Sequence, residues 1–404
     1  MKKSLVALAA LASIAGVAQA QDGVSLYGVL DFGIGDINAT SANGQQQGNV
    51  GITNSAMQSS LWGVKGSEDL GGGLKAIFDF EGDLTANGVN YSSAPGAGSG
   101  ILFRRQENVG LSSTQWGTVQ IGTVYDSLDA DAQLSILPVA GNSVNFTTQL
   151  AGGTGNYFPT QAIKYTLPKN LMGGKLSGGF TYSSGNVPNQ YTVTAPTNGA
   201  TSGTYSANSI AGSMTDGYLR FEPITNLKLT LGAGVSQADP GGYQSPNLGG
   251  QPVSNAPYYA KQYGSHEYLG GIQYAYHRYS LGLMFTEANG AAVGPVPAIP
   301  GSPAANDIRT TSLGLGYQAT DRIKLGANYV HNTGNTNLYN VQAHYSFSKQ
   351  TEVYAQYAYV AEGSYGQTSP IWWGDNTGST WVSNGAIGAN STAQAFLVGM
   401  IHRF

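Results

Sequence analysis

The segment Leu227-Lys228-Leu229-Thr230-Leu231-Gly232-Ala233-Gly234-Val235-Ser236 carries the pattern on which the fold turns. Leu227, Leu229, Leu231, Ala233 and Val235 fall on one side of an extended chain, and Lys228, Thr230, Gly232, Gly234 and Ser236 on the other. A strict period of two marks a β-strand that stands between two different environments. The same alternation sets Tyr339, Val341, Ala343, Tyr345 and Phe347 against Asn340, Gln342, His344 and Ser346. It also sets Leu74, Ala76, Phe78 and Phe80 against Lys75, Ile77, Asp79 and Glu81. A soluble β-sandwich would bury the apolar side and show ordinary charge on the other. Here the polar sides are mostly Gly, Ser, Thr, Asn and Gln, which suits a water-filled interior with the apolar side turned to lipid.

Composition agrees. Of 404 residues only 10% are charged, against about 25% in an ordinary soluble domain. The 58 glycines and the lack of any apolar run near ~20 residues after the N-terminus exclude a helical membrane bundle. There is no basic excess of the kind a nucleic-acid partner needs. Lys2 and Lys3, the apolar stretch Leu5 to Val17 and the small-x-small triplet Ala18-Gln19-Ala20 read as an export signal. We therefore expect residues 1–20 to be a signal peptide and 21–404 one barrel domain. Without cysteine no disulfide can staple an exported chain, so hydrogen-bonded sheet must hold it together.

Two kinds of connection separate the strands. Short turns are read at 67–73, 112–115, 168–174, 222–226, 275–278, 319–322 and 348–350, and Gly/Ser/Asn/Pro-rich stretches at 37–57, 82–100, 125–160, 184–213, 237–265, 288–308, 332–337 and 361–392. The two kinds alternate, which predicts an all-β, transmembrane antiparallel barrel of about sixteen strands with short turns at one rim and long loops at the other. The last strand, Ala393 to Phe404, puts Phe396, Val398, Met400, His402 and Phe404 on one face. A terminal Phe404 would sit in the interfacial aromatic girdle and leave a free carboxylate for an assembly machine to grip.

Several segments together resemble the general porins of Gram-negative outer membranes, in the form common among β-proteobacteria. They are Val24-Ser25-Leu26-Tyr27-Gly28-Val29-Leu30-Asp31, the long stretch from Trp62-Gly63-Val64-Lys65-Gly66 through Gly71-Gly72-Gly73-Leu74-Lys75-Ala76, Val109-Gly110-Leu111-Ser112-Ser113 with Trp116-Gly117-Thr118-Val119, and Ile401-His402-Arg403-Phe404. From about Gly141 to Gln394 only the hairpin rhythm is shared. The resemblance implies a homotrimeric outer-membrane barrel among lipid and lipopolysaccharide, a third loop folded inward as a constriction, and passive diffusion of small hydrophilic solutes and ions.

The chain departs from that family at the constriction. Places where the family usually carries arginine, before the Trp-Gly pair and before the third loop, are filled by Leu61 and Thr123. Asp126, Asp129 and Asp131 open the third loop. With Lys65, Lys75 and Arg104 as partial counterweights, a negative field and cation selectivity are expected. The alternative is that these aspartates only cap loop backbone. Alternation puts Arg104 in the interior with Gln106 and Asn108, and Arg105 on the apolar face with Val109 and Leu111. Further interior-lining candidates are Lys75, Asp79, Glu81, Lys228, Gln342 and His344.

Other chemistry is poorly served. The three aspartates lack the glycine and distal glutamate of an EF-hand, the five histidines show no metal-ligand spacing, and Gly71-Gly72-Gly73 precedes no helix that would cradle a phosphate. No metal and no cofactor are expected. An outer-membrane enzyme would need an activated nucleophile, and neither Gly-x-Ser-x-Gly nor a His beside a plausible Ser on one strand face occurs. A sugar-specific channel stays open as an alternative, since Tyr, Asn and Gln are the side chains that stack on and hydrogen-bond to sugars.

Overall fold

The computed structural model describes residues 23–40, 44, 46–84, 102–139, 157–184, 190–193, 203–206, 213–236, 265–289, 307–333, 335–361 and 392–404. The expected signal segment 1–20 lies outside these residues. So do most of the stretches read as long loops at 82–100, 184–213, 237–265, 288–308 and 361–392, and residues 140–156 of the third loop.

The first wall half comprises β1 (Val24–Thr40), β2 (Gln46–Asn54), β3 (Leu61–Gly71), β4 (Leu74–Asp83), β5 (Gln106–Ser113), β6 (Gly117–Thr123), β7 (Ala162–Thr166) and β8 (Leu176–Ser183). A separate small hairpin pairs β9 (Gln190–Val193) with β10 (Gly203–Ser206) inside the stretch read as a loop at 184–213. The second half runs through β11 (Met214–Ile224), β12 (Leu227–Ser236), β13 (Ser265–Tyr276), β14 (Tyr279–Asn289) and β15 (Asp307–Gln318). It ends with β16 (Ile323–Asn332), β17 (Asn337–Ser346), β18 (Thr351–Ala361) and β19 (Thr392–Arg403). Each strand pairs antiparallel with its neighbour, and β19 returns to β1 over Val29↔Arg403 to Thr40↔Thr392. The seventeen strands of this sheet fill sixteen wall positions, because β2 and β3 lie end to end along β1. The result is a closed antiparallel barrel.

One connection differs from the sequence reading. Residues 37–57 are mostly strand, β1 reaching Thr40 and β2 starting at Gln46. The break falls at 55–60, and Asp31 causes it: one carboxylate oxygen accepts the backbone N–H groups of Met57 (2.7 Å) and Gln58 (2.8 Å), and the other accepts Tyr354 Oη (2.5 Å). The strand is thereby pulled inward, and Ala56, Met57 and Leu61 pack on Val29, Leu397 and Ile401 in a buried apolar cluster. The interior is therefore not polar all round. On β19 both faces are apolar.

Elsewhere the alternation works as physics requires. Leu231 is 71% exposed and Val341 54%, both outward, while Thr230, Asn340 and Gln342 are buried inward. No helix among the described residues is long and apolar enough to cross a membrane; here the strands cross it.

Candidate functional site

The inward packing is built on the segment that follows β6. Asp126 stands in extended conformation at the head of a helical turn, Ser127–Ala132, and its carboxylate accepts the N–H of Asp129 (2.7 Å) and of Ala130 (2.8 Å). A carboxylate at this place satisfies donors that the first turn leaves without partners. Asp216 on β11 accepts the N–H groups of Ser127 (3.0 Å) and Leu128 (3.1 Å), so the turn is held from the wall as well. Further along, Gln133 Nε2 donates to Glu267 (3.3 Å), and Arg220 Nη2 donates to the Ala132 carbonyl (3.2 Å) and Ser135 Oγ (2.5 Å). Lys324 Nζ donates to the Pro138 carbonyl (2.8 Å), and Asn328 (2.6 Å) and Gln342 (2.8 Å) both donate to that of Val139.

Glycines make room for this crossing. A Cβ on Gly232 would overlap Leu128, one on Gly271 would stand 2.5 Å from Ile136 Cδ1, and one on Gly326 would stand 2.5 Å from Val139 Cγ1. These three sit on β12, β13 and β16, so the wall offers a track without side chains into which Leu128, Ile136 and Val139 seat. The described part of the third loop, residues 126–139, is thus folded into the interior and docked on β8 and β11 to β17.

The facing wall carries charge. Tyr27 Oη donates to Asp79 (2.8 Å) and Glu81 (2.9 Å), and Lys65 Nζ lies 4.6 Å from the Tyr27 ring centre. Arg105 pairs with Glu81 (2.8 Å) and Asp83 (2.9 Å), Arg104 with Asp83 (2.6 Å), and Tyr125 donates to Glu81. Both guanidiniums lie over the Phe158 ring, at 5.2 Å for Arg104 and 4.7 Å for Arg105.

These positions correct one assignment. Arg105 is only 8% exposed and lies in the interior network, not on the apolar face. Residues 102–105 are outside any strand and β5 begins at Gln106, so alternation counted back from Val109 stops short of Arg105. Arg104, at 37% side-chain exposure, is the outer member of the pair.

The expected acidic group is dispersed. Asp126 and Asp129 are fully buried, while Asp131 is paired with Lys164 at 2.5 Å. Burial, with Asp129 and Asp216 close by, raises the Asp126 pKa well above the ordinary carboxylate range. Burial also raises that of Asp131, against the opposing pull of Lys164. Leu61 belongs to the apolar cluster at 9% exposure. Thr123 closes β6 half-buried, its carbonyl accepting Asn108 Nδ2 at 3.1 Å. Lys65, Lys75 and Lys228 are exposed, and Asp79 and Glu81 are tied to Tyr27. Gln342 holds Val139, and His344 Nε2 lies 2.9 Å from Gln342 Oε1 and its Nδ1 3.7 Å from Glu352. Phe404 is at the seam, exchanging backbone hydrogen bonds with Gly28 (3.1 and 3.0 Å).

Sequence reasoning missed Asp216, Lys164, Arg220, Lys324 and Asn328, each of which grips the inward segment. The available signal was indirect: inward-parity polar residues interspersed with glycine on β11, β12 and β16.

Comparison with known proteins gives the same architecture. The family model described as Gram-negative porin matches residues 7–364. An outer membrane porin of Bordetella pertussis is 40% identical over 132 residues, covering 30% of this chain and 33% of that protein. Outer membrane porin protein 32 of Delftia acidovorans is 39% identical over 122 residues, 30% of this chain and 31% of that protein. The matched part thus spans about a third of these relatives' length. Among solved structures, an anion-selective porin from Comamonas acidovorans superimposes with a TM-score of 0.65 at 20% identity, over 95% of this chain and all of that one. OmpT of Vibrio cholerae gives 0.57 at 13%, over 96% of this chain and 99% of that one. With a closed sixteen-position barrel, an inward segment at 126–139 and a family match over most of its length, the chain belongs to the Gram-negative porin family of the outer membrane.

Proposed function

We propose that the chain is a passive diffusion channel for small hydrophilic solutes and ions, assembled as a homotrimer among outer-membrane lipid and lipopolysaccharide. The docked segment 126–139 carries this reading. It narrows the interior from one side while Lys65 on the facing wall keeps solvent-exposed charge. A narrow polar passage of this kind selects by width and by the field of its fixed charges.

The sign of that field follows from which charges are accessible. Cation preference rests on Asp126, Asp129 and Asp131 facing the passage. The burial of the first two and the Lys164 partner of the third remove that support. Lys65, Lys75 and Lys228 stay exposed, so we assign the channel a weak anion preference. Reversal potential under a KCl gradient at low salt, where screening is weak, tests it. The expected result is anion preference that shrinks in Lys65→Gln, and cation preference in the unmodified protein would overturn the assignment.

Liposome swelling tests the diffusive reading. Rates falling smoothly with sugar mass support it, and one sugar running far ahead of its size class would replace it with a solute-specific channel. An unheated SDS gel should show a band near three chain masses that collapses to one on boiling.

A further inference from the structure

On the outer wall near the short-turn rim, β13 to β16 enclose a groove of about 480 Å³. Tyr274 and Tyr276 stack on one side (centroids 6.5 Å, 13° between planes), and Tyr279 and Tyr317 stack on the other (4.9 Å, 25°). Between them Leu281, Leu315 and Leu325 line an almost wholly apolar slot. Its floor is the backbone of Gly316 and Gly326 together with Ala327. Val139 rests against these two glycines from inside, so the inward segment backs the floor of the groove.

The end of the groove is basic. Arg278 follows Tyr276 and His277 in the turn after β13, and its Nη1 donates to the Ala319 carbonyl (2.7 Å) in the turn after β15, spanning the groove's mouth. Arg322 lies in that second turn, fully solvent-exposed, with Nη1 3.4 Å from Tyr345 Oη. Against these two guanidiniums the two turns hold one acid, Asp321. Guanidinium groups with free N–H donors match phosphate oxygens.

We propose that this groove is a binding site for one glycerophospholipid of the leaflet on the short-turn side, one acyl chain lying between the tyrosine pairs and the phosphate at Arg278 and Arg322. The apolar slot and the basic mouth are joined end to end, as the two parts of such a lipid are. A second protein chain would need polar complements to four tyrosine hydroxyls, whereas these hydroxyls at the membrane boundary are met by water and headgroups. The proposal does not depend on what the channel conducts.

Native mass spectrometry of the detergent-purified full-length protein with added 1-palmitoyl-2-oleoyl-phosphatidylglycerol tests it. We expect one retained lipid per chain at low lipid excess, and about tenfold weaker retention of a diacylglycerol with the same chains, the worth of a charge-assisted contact. Arg278→Gln with Arg322→Gln should lower phosphatidylglycerol retention to the diacylglycerol level, and Ala327→Trp, which fills the slot, should abolish both. Inorganic phosphate alone should not compete. Heat-modifiable migration and unchanged single-channel conductance verify that each variant is folded. Many weak adducts insensitive to all three substitutions, or an interface between chains that Ala327→Trp abolishes, would overturn the proposal.

Discussion

Gly326 and Val139 are in face-to-face contact across the barrel interior: a Cβ on Gly326 would stand 2.5 Å from Val139 Cγ1, and the Val139 carbonyl beside it accepts Asn328 and Gln342. The wall has given up a side chain so that the inward segment can lie flat on it at Val139. Overpacking such a contact costs about 1–3 kcal/mol, and the segment can avoid that cost by lifting there.

Gly326→Val should therefore displace the segment around Val139 toward the passage axis while leaving the barrel intact. Single-channel recordings should show lower conductance with added flicker, and circular dichroism should be unchanged. Asn328→Ala with Gln342→Ala removes the two donors instead and should give flicker without the steric loss of conductance.

Arg105 offers a second test. It holds Glu81 and Asp83 in a nearly buried site. Removing one member of a buried ion pair typically costs about 3–5 kcal/mol, because the other is left charged without a partner. Arg105→Met should lower the temperature at which the folded band is lost on SDS gels and, by leaving Glu81 without a cationic partner while Asp83 keeps Arg104, move reversal potential toward cations. Arg104→Gln, whose partner Asp83 keeps Arg105, should do much less to stability.

The fold was legible in the sequence because lipid outside and water inside impose period two on most wall strands, as in Leu227 to Ser236, though not on β19, whose inner face packs on an apolar cluster. The inward fold of the third loop came from family resemblance alone. For its acids the sequence offered two readings, a field in the passage or caps of loop backbone, and Asp126 at the head of the helical turn serves as a cap; the choice depends on a turn only the tertiary structure forms. Alternation misplaces Arg105 because it holds only within a strand, and β5 starts one residue later. Asp31, quoted as part of the opening motif, has its role in bending a strand 26 residues on, at Met57.

The loop should respond to pH. Burial, with Asp129 and Asp216 nearby, raises the Asp126 pKa above its ordinary value of about 3.9 in an unfolded chain. A carboxyl raised on docking binds more protons in the docked state, so its contribution to docking is most favourable below the ordinary pKa and is lost as pH rises through the raised value. Protection factors of the 127–132 amides, each exchange rate taken against the intrinsic rate at the same pH, should be higher at pH 4.5 than at pH 8. Asp126→Asn, neutral at both, should flatten that difference while keeping a capping acceptor; an equal pH response in the variant would move the effect to another group.

The barrel seam gives the last prediction. Gly28 and Phe404 exchange both backbone hydrogen bonds, and the Phe404 ring occupies the space where a Cβ on Gly28 would stand. The final residue thus closes β19 onto β1 with its backbone and covers the joint with its side chain. Gly28→Val forces the ring away but leaves the ladder donors in place, whereas Phe404→Ala keeps the ladder and removes the cover. Both should slow closure into the heat-modifiable form during refolding into detergent. If the steric conflict is what matters, the double variant Gly28→Val with Phe404→Ala should refold faster than Gly28→Val alone, a non-additive pattern expected of residues in direct contact. Strictly additive slowing would mean that the ring acts elsewhere, as an interfacial anchor only.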